Sequence, residues 1–204
     1  MFRTVLSPII LVVCFQVAHA EDALVQGGKS PNGRYEVRLC KSGEISPGTS
    51  GYSYELADSN TGKVLQQFSA GGGFADYYGA IMVSEVLWSP SSRYFALLDH
   101  GSRHSMELYL FRVAGSGVIE LKAPDYLKKG LTLAGEKTIY LVSVVKPISW
   151  SENSLTSNFY FDATTVPYGR SPLYSTKFKI AMPKGDGVNV ELVSMDKPVG
   201  NPND

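Results

Sequence analysis

Cysteine is nearly missing from this chain. Its 204 residues contain two, Cys14 and Cys40. A fold stapled by several disulfides is therefore excluded, and a packed core must hold the protein together. Charge is equally thin: 19 Lys+Arg balance 19 Asp+Glu, and charged residues make up 19% of the chain. That excludes a disordered acidic or basic segment. Zero net charge also argues against a nucleic-acid partner, which needs a basic stripe. Beyond the first twenty residues, no apolar run approaches the roughly 18 residues of a membrane-spanning helix. There is no Asn-x-Ser/Thr acceptor for glycosylation either. Together with the scarcity of cysteine, this fits a bacterial periplasm better than an animal extracellular space.

What is abundant is apolar and turn-forming. Hydrophobic residues reach 44%, with 12 Tyr, 20 Gly and 11 Pro. Few long helix-forming runs accompany them, so an all-β protein rich in turns is expected. The first 20 residues stand apart. Arg3 is followed by an apolar stretch from Val5 to Val17, then by Ala18-His19-Ala20. This is the order of a cleavable secretory signal: a positive start, an apolar stretch too short to span, and small residues flanking the cut. Cys14 follows Val13 rather than a small residue, which speaks against a lipoprotein signal. Loss of Arg3 would leave a mature net charge of −1. The expected organisation is a signal peptide over 1–20, one β domain over 21–195 and a loose tail over 196–204.

The chain also repeats. Ser30-Pro31-Asn32-Gly33-Arg34-Tyr35, Trp88-Ser89-Pro90-Ser91-Ser92-Arg93-Tyr94 and Trp150-Ser151-Glu152-Asn153-Ser154 recur about sixty residues apart. Each is followed by an alternating or apolar strand: Tyr35, Val37 and Leu39 on one face, then Phe95 to Leu98, then Leu155 to Phe161. A third strand comes next (Ser53–Ala57, Met106–Val113, Ser175–Ala181). In the first two units a turn and a fourth strand follow (Val64–Phe68 and Val118–Leu121). Four short antiparallel strands per repeat make a propeller blade. The expected fold is all-β, with three four-stranded antiparallel sheets arranged as an incomplete, three-bladed propeller. Three units can stand as a miniature or form half of a six-bladed homodimer. Helix is expected only as a turn over Ala123–Lys129, with Pro124 near its start and Gly130 as its stop.

On these residues, Trp-Ser-Pro-x-x-Arg-Tyr-Phe-Ala followed by Glu107-Leu108-Tyr109-Leu110-Phe111 resembles the WD-repeat-like blades of bacterial periplasmic propeller proteins, over about residues 25–182. The match is best in the second unit and poorest in the third, where Glu152 stands in place of Pro31 and Pro90.

Two segments carry chemistry worth weighing. Asp99, His100, Ser102, Arg103, His104 and Ser105 crowd into a polar loop between strong strands. His100 and His104 share a face only on a helix, and Gly101 argues for a loop, so no metal site is expected. Serine, histidine and aspartate so close in sequence cannot orient one another as a triad. The loop is therefore a candidate contact surface for another protein. The second segment holds Phe74, Tyr77 and Tyr78 behind Gly71-Gly72-Gly73. It lacks the Gly-Lys-Ser/Thr end that grips a nucleotide's phosphates, and its aromatics suit protein recognition. A similar, shorter loop holds Tyr168 and Arg170. Cys40 ends a strand and reads as a packing residue.

The sequence carries no cofactor fingerprint and no acid/base set that spacing can assemble. A non-catalytic protein-binding module is expected. In size, compartment and three-blade character it is similar to periplasmic immunity proteins that block peptidoglycan-cutting amidase effectors of type VI secretion. That resemblance implies that the loop around His100 plugs a toxin's active site. The alternative is a small-ligand receptor or hydrolase with a pocket where blades meet. Export itself is directly testable: mass spectrometry of periplasmic protein should find Glu21 at the N-terminus, and a lipid-modified Cys14 would refute the assignment.

Overall fold

The computed structural model describes residues 23–46, 49–69, 84–102, 105–136, 143–162 and 173–200. They form thirteen strands and one short helix. The first unit holds β1 (Ala23–Lys29), β2 (Tyr35–Ser46), β3 (Thr49–Asp58) and β4 (Val64–Phe68). The second holds β5 (Glu85–Trp88), β6 (Tyr94–Ser102), β7 (Ser105–Ala114) and β8 (Gly117–Leu121). Helix α1 (Tyr126–Ala134) follows, then β9 (Ser143–Ser151), β10 (Ser154–Asp162), β11 (Leu173–Ala181), β12 (Glu191–Met195) and β13 (Val199–Gly200). Within each unit, successive strands pair antiparallel, so the four-strand repeat is present three times.

The units are not three separate sheets. β1 runs parallel to β5, and β7 runs parallel to β9. The first two units thus share one eight-stranded mixed sheet in the order β4-β3-β2-β1-β5-β6-β7-β8. Its far edges curl toward each other, and the Gln66 Oε1 atom on β4 accepts a hydrogen bond from the Val118 amide on β8 at 2.7 Å. The sheet is nearly closed. At the shared edge, Gly27 sits at φ +70°, and a Cβ there would lie 2.2 Å from the Val86 carbonyl oxygen. Glycine is needed both for the backbone angle and for the close approach of the two units. The third unit, with β13 added, is a five-stranded antiparallel sheet packed on the outside of the second.

Burial follows from this arrangement. Val37, Leu39, Tyr54, Leu56, Trp88, Phe95, Leu97 and Phe111 fill the interior of the eight-stranded sheet. Tyr94, Ala96, Leu108, Leu110, Leu155, Phe159, Phe161 and Phe178 fill the space between the second and third units. Alternate residues of β6 therefore enter different cores. That is why its sequence, Tyr94-Phe95-Ala96-Leu97-Leu98, is apolar throughout rather than alternating. Cys40 is buried, as its reading as a packing residue requires.

The repeated motif is a joint between units. Ser30 Oγ accepts from the Tyr35 amide at 2.8 Å, and Ser89 Oγ accepts from the Tyr94 amide at 3.0 Å. Arg34 and Arg93 lie over the rings of Tyr35 and Tyr94. Gly33 takes φ 69°, and its counterpart Ser92 takes φ 56°, unusual for a residue with a side chain. Trp88 stacks on Tyr35 and donates its indole N–H to the Gly28 carbonyl at 2.9 Å. Trp150 stacks on Tyr94 and donates to the Leu87 carbonyl, also at 2.9 Å. Each unit after the first thus clasps its predecessor with one tryptophan. The register puts Lys29 where the first unit would have its tryptophan, and Ser154 where the third would have its tyrosine.

Two expectations need correction. Gly130 does not stop the helix: it lies buried inside it, where a Cβ would come within 3.1 Å of Phe159. Asp125 caps the start by accepting from the Lys128 amide, and Gly135 in the left-handed region ends it. Nor are residues 196–200 loose. Thr176 donates to the Asp196 carbonyl at 2.6 Å, and β13 pairs with β11. Because Trp88 is the only side-chain donor to the Gly28 carbonyl among the described bonds, Trp88→Phe should destabilise the fold by about 1–3 kcal/mol. Urea denaturation measures this. A loss below about 0.5 kcal/mol, the size of an ordinary surface change, would refute the role given to the clasp.

Candidate functional site

The strand directions divide the molecule into two ends. The Ser-Pro turns and the hairpin at 59–63 lie at one end. At the other lie the end of β2, the start of β3, the tip between β6 and β7, and Ser84 just before β5. The segment carrying Phe74, Tyr77 and Tyr78 joins β4 to β5 and lies outside the described residues, as do Arg103, His104, Tyr168 and Arg170.

The first candidate segment is less of a loop than its composition suggests. β6 extends through His100 to Ser102 and β7 begins at Ser105, with His100 opposite Met106 and Ser102 opposite Ser105. The register shifts between His100 and Ser102, around Gly101, so the tip is a bulged hairpin. Asp99 is not a surface contact. It is wholly buried, because it continues the inward face of Phe95 and Leu97 two residues further along the strand.

A carboxylate at such a place needs donors. Tyr54 donates to it at 2.8 Å and Tyr52 at 3.2 Å, both from β3 of the first unit. Tyr54 is itself paired with Ser84 Oγ at 2.7 Å. On β7, Tyr109 donates to Glu107 at 2.8 Å, and Glu107 lies opposite Asp99. Burial first, and then the charge of Asp99, hold the Tyr52 and Tyr54 hydroxyls protonated well above the usual phenol range. Burial and the neighbouring Glu107 do the same to Tyr109. None of Tyr52, Tyr54, Ser84, Glu107 or Tyr109 stands out in the sequence as a candidate site residue, although Glu107 and Tyr109 stand in the strand motif of the second unit. The inward periodicity of Phe95, Leu97 and Asp99 was the available signal for the buried carboxylate.

Among the described residues, no group of three or more His, Cys, Asp and Glu side chains is arranged to hold a metal. A cavity of about 300 Å³ lies where the second and third units meet, lined by Met106, Glu107, Asp125, Tyr126, Val145 and Phe159 among others. Burial, followed by the charges of Glu107 and Asp125, pushes the Tyr126 hydroxyl up to about 12. Among the described residues that line it there is no serine, cysteine or histidine.

No protein-family model matches the chain, and no curated protein matches it. Among solved structures, a protein assigned as TolB from Agrobacterium tumefaciens is similar at 18% identity and TM-score 0.36, over 90% of this chain and 52% of that one. A prolyl endopeptidase is similar at 10% identity and TM-score 0.32, over 86% of this chain and 30% of that one. The chain thus spans about half of the first and less of the second, and scores this low carry no inference about function.

The tyrosines give a test. A phenol whose pKa is raised by folding keeps its proton after the unfolded chain has lost it. The unfolded state then binds fewer protons, so stability declines as pH rises. Stability should therefore be insensitive to these tyrosines below about pH 10, the ordinary phenol pKa, and should fall above it. Absorbance at 295 nm should show part of the tyrosine ionising only as the protein unfolds. Smooth ionisation of all tyrosines near pH 10 in the folded protein would contradict the burial of this network.

Proposed function

We propose that the chain is an exported bacterial protein-binding module, acting in the periplasm without catalysis. Its three units stack like the blades of an incomplete propeller. The observation that carries this reading is the anchoring of the β6–β7 hairpin. Asp99, at the base of the hairpin, is tied across the core to Tyr52 and Tyr54 of another unit. A hairpin whose strands are gripped in this way is held at its base, which lowers the ordering cost of binding. Ser102, Arg103, His104 and Ser105 then provide hydroxyl, guanidinium and imidazole groups for contact, with Asp99 as their support. The segment of Phe74, Tyr77 and Tyr78 precedes Ser84 in the sequence, which bonds to Tyr54 at this end, and serves as the second contact.

The partner that fits best is a peptidoglycan amidase toxin, with the hairpin tip plugging its cleft and hydrogen-bonding to a Cys/His active site. The chain then acts as an immunity protein. The clasp supports a three-unit protein over half of a six-bladed ring. A ring would need the joint again at Lys29 and Ser154, where its tryptophan and tyrosine are replaced. The cavity at the junction of the second and third units favours a second reading, a small-ligand receptor.

The test replaces Ser102, Arg103 and His104 together with alanine. Thermal stability should hold if the tip serves contact rather than packing, since changes away from a core usually cost little. Affinity for a secreted amidase encoded beside this gene should fall more than tenfold, since contact hot spots contribute about 2 kcal/mol or more each. Unchanged affinity would move the contact to Phe74–Tyr78, and turnover of a substrate by the purified protein would overturn the reading.

A further inference from the structure

The outward face of the third unit carries a pattern that the hairpin does not use. In the register of β9, β10 and β11, Lys146, Asn158 and Lys177 form one row across the sheet. Ser149, Thr156 and Lys179 form the next, with Ser194 of β12 completing it. Facing residues on adjacent strands lie about 5 Å apart, so Lys146 and Lys177, on either side of Asn158, are about 10 Å apart, with Lys179 two residues along β11 on the same face. All three lysines are exposed, and among the described residues none forms an ion pair. Exposed aliphatics flank them. Leu173 and Val199 lie on the same face, 39% and 67% exposed, with Val193 on the neighbouring edge strand at 55%. A shallow depression of about 240 Å³ joins Tyr160, Lys177, Asp196, Lys197 and Val199, so that two lysines there face a single carboxylate.

We propose that this face docks on an anionic phospholipid bilayer. Charge complementarity calls for a negative surface. The residue types choose a lipid surface over a protein. Protein interfaces favour arginine and the aromatics and are depleted in lysine, and here every cation is a lysine. An ammonium on a flexible stem suits a field of headgroups that demands no fixed geometry. Exposed aliphatics beside it can enter the headgroup boundary, as in proteins that lie on a membrane without spanning it.

Co-sedimentation of the mature protein with phosphatidylcholine vesicles, with and without 30% phosphatidylglycerol, tests the proposal. Binding should require the anionic lipid and weaken with added salt. The variant K146Q/K177Q/K179Q should lower the partition coefficient by roughly two orders of magnitude, with unchanged circular dichroism. Val199→Asp, at an exposed edge, should weaken binding while leaving the lysines in place. Equal binding to neutral vesicles, no binding to either, or binding indifferent to the lysines would overturn the proposal. So would capture by soluble polyglutamate with no vesicle binding, which would assign the face to an acidic macromolecule. None of these outcomes bears on the hairpin, whose test uses a different surface.

Discussion

The indole N–H of a tryptophan given to a backbone carbonyl of the preceding unit is the interaction on which the architecture turns. An antiparallel unit of four short strands has an apolar face that must be buried against another element. The Trp88 and Trp150 clasps fix where the next unit lies. In each case the ring stacks on the tyrosine that ends the Ser-Pro turn, and the N–H satisfies a carbonyl on the innermost strand. The turn bonds from Ser30 and Ser89 hold those tyrosines in place. The same few side chains therefore close a turn, seat a ring and join two units. Direct contact between the turns reinforces the first joint, where the Asn32 amide donates to Ser92 Oγ at 3.0 Å.

The joint is repeated, but its two settings differ. Between the first and second units, the parallel β1–β5 contact and the Gln66 bridge close the sheet around one core. Between the second and third, β9 departs from β5 and meets β7 instead, so the third unit covers the outer face of the second. The middle unit is thus buried on both sides, and the end units keep one face toward solvent. This explains the distribution of charge. On the outer side of the first unit Glu36 is itself buried and is matched by Arg38, and lysines occupy the outer face of the third. Arg112 of the middle unit is buried, and satisfies its guanidinium on the carbonyls of Gly185, Asp186 and Gly187.

How legible was this in the sequence? The repeat was, because each motif residue serves a local turn bond as well as the long-range clasp. Strand β4 was legible to its ends, bounded by a turn and a Gly-rich run. The helix boundaries were not. Gly130 has the composition of a stop, but the need for space against Phe159 and Phe161 put a glycine in the helix interior. Residues 196–200 read as loose because their polar side chains hide hydrogen bonds made by the backbone, from Thr176 and along β11. The closure of β4 against β8 had no signature either, since Gln66 reads as an ordinary surface residue until β8 is placed beside it.

Asp99 is the most instructive case. Within Asp99–Ser105 it looks like one more polar group on a recognition loop, and composition alone cannot separate it from Ser102 or His104. The two-residue period can: a residue in line with Phe95 and Leu97 must enter the core. Once inside, a carboxylate is costly unless donors meet it, and the nearest donors belong to β3 of another unit. The sequence distance of 45 residues to Tyr54 is bridged only when the first two units face each other. The polar anchor at one end of the eight-stranded sheet therefore depends on the clasp at the other. Loosening the Trp88 joint would separate Tyr54 from Asp99 and take that donor away from the buried carboxylate. Correct stacking of the units and a firm base for the hairpin are for this reason one condition, met at both ends of the sheet.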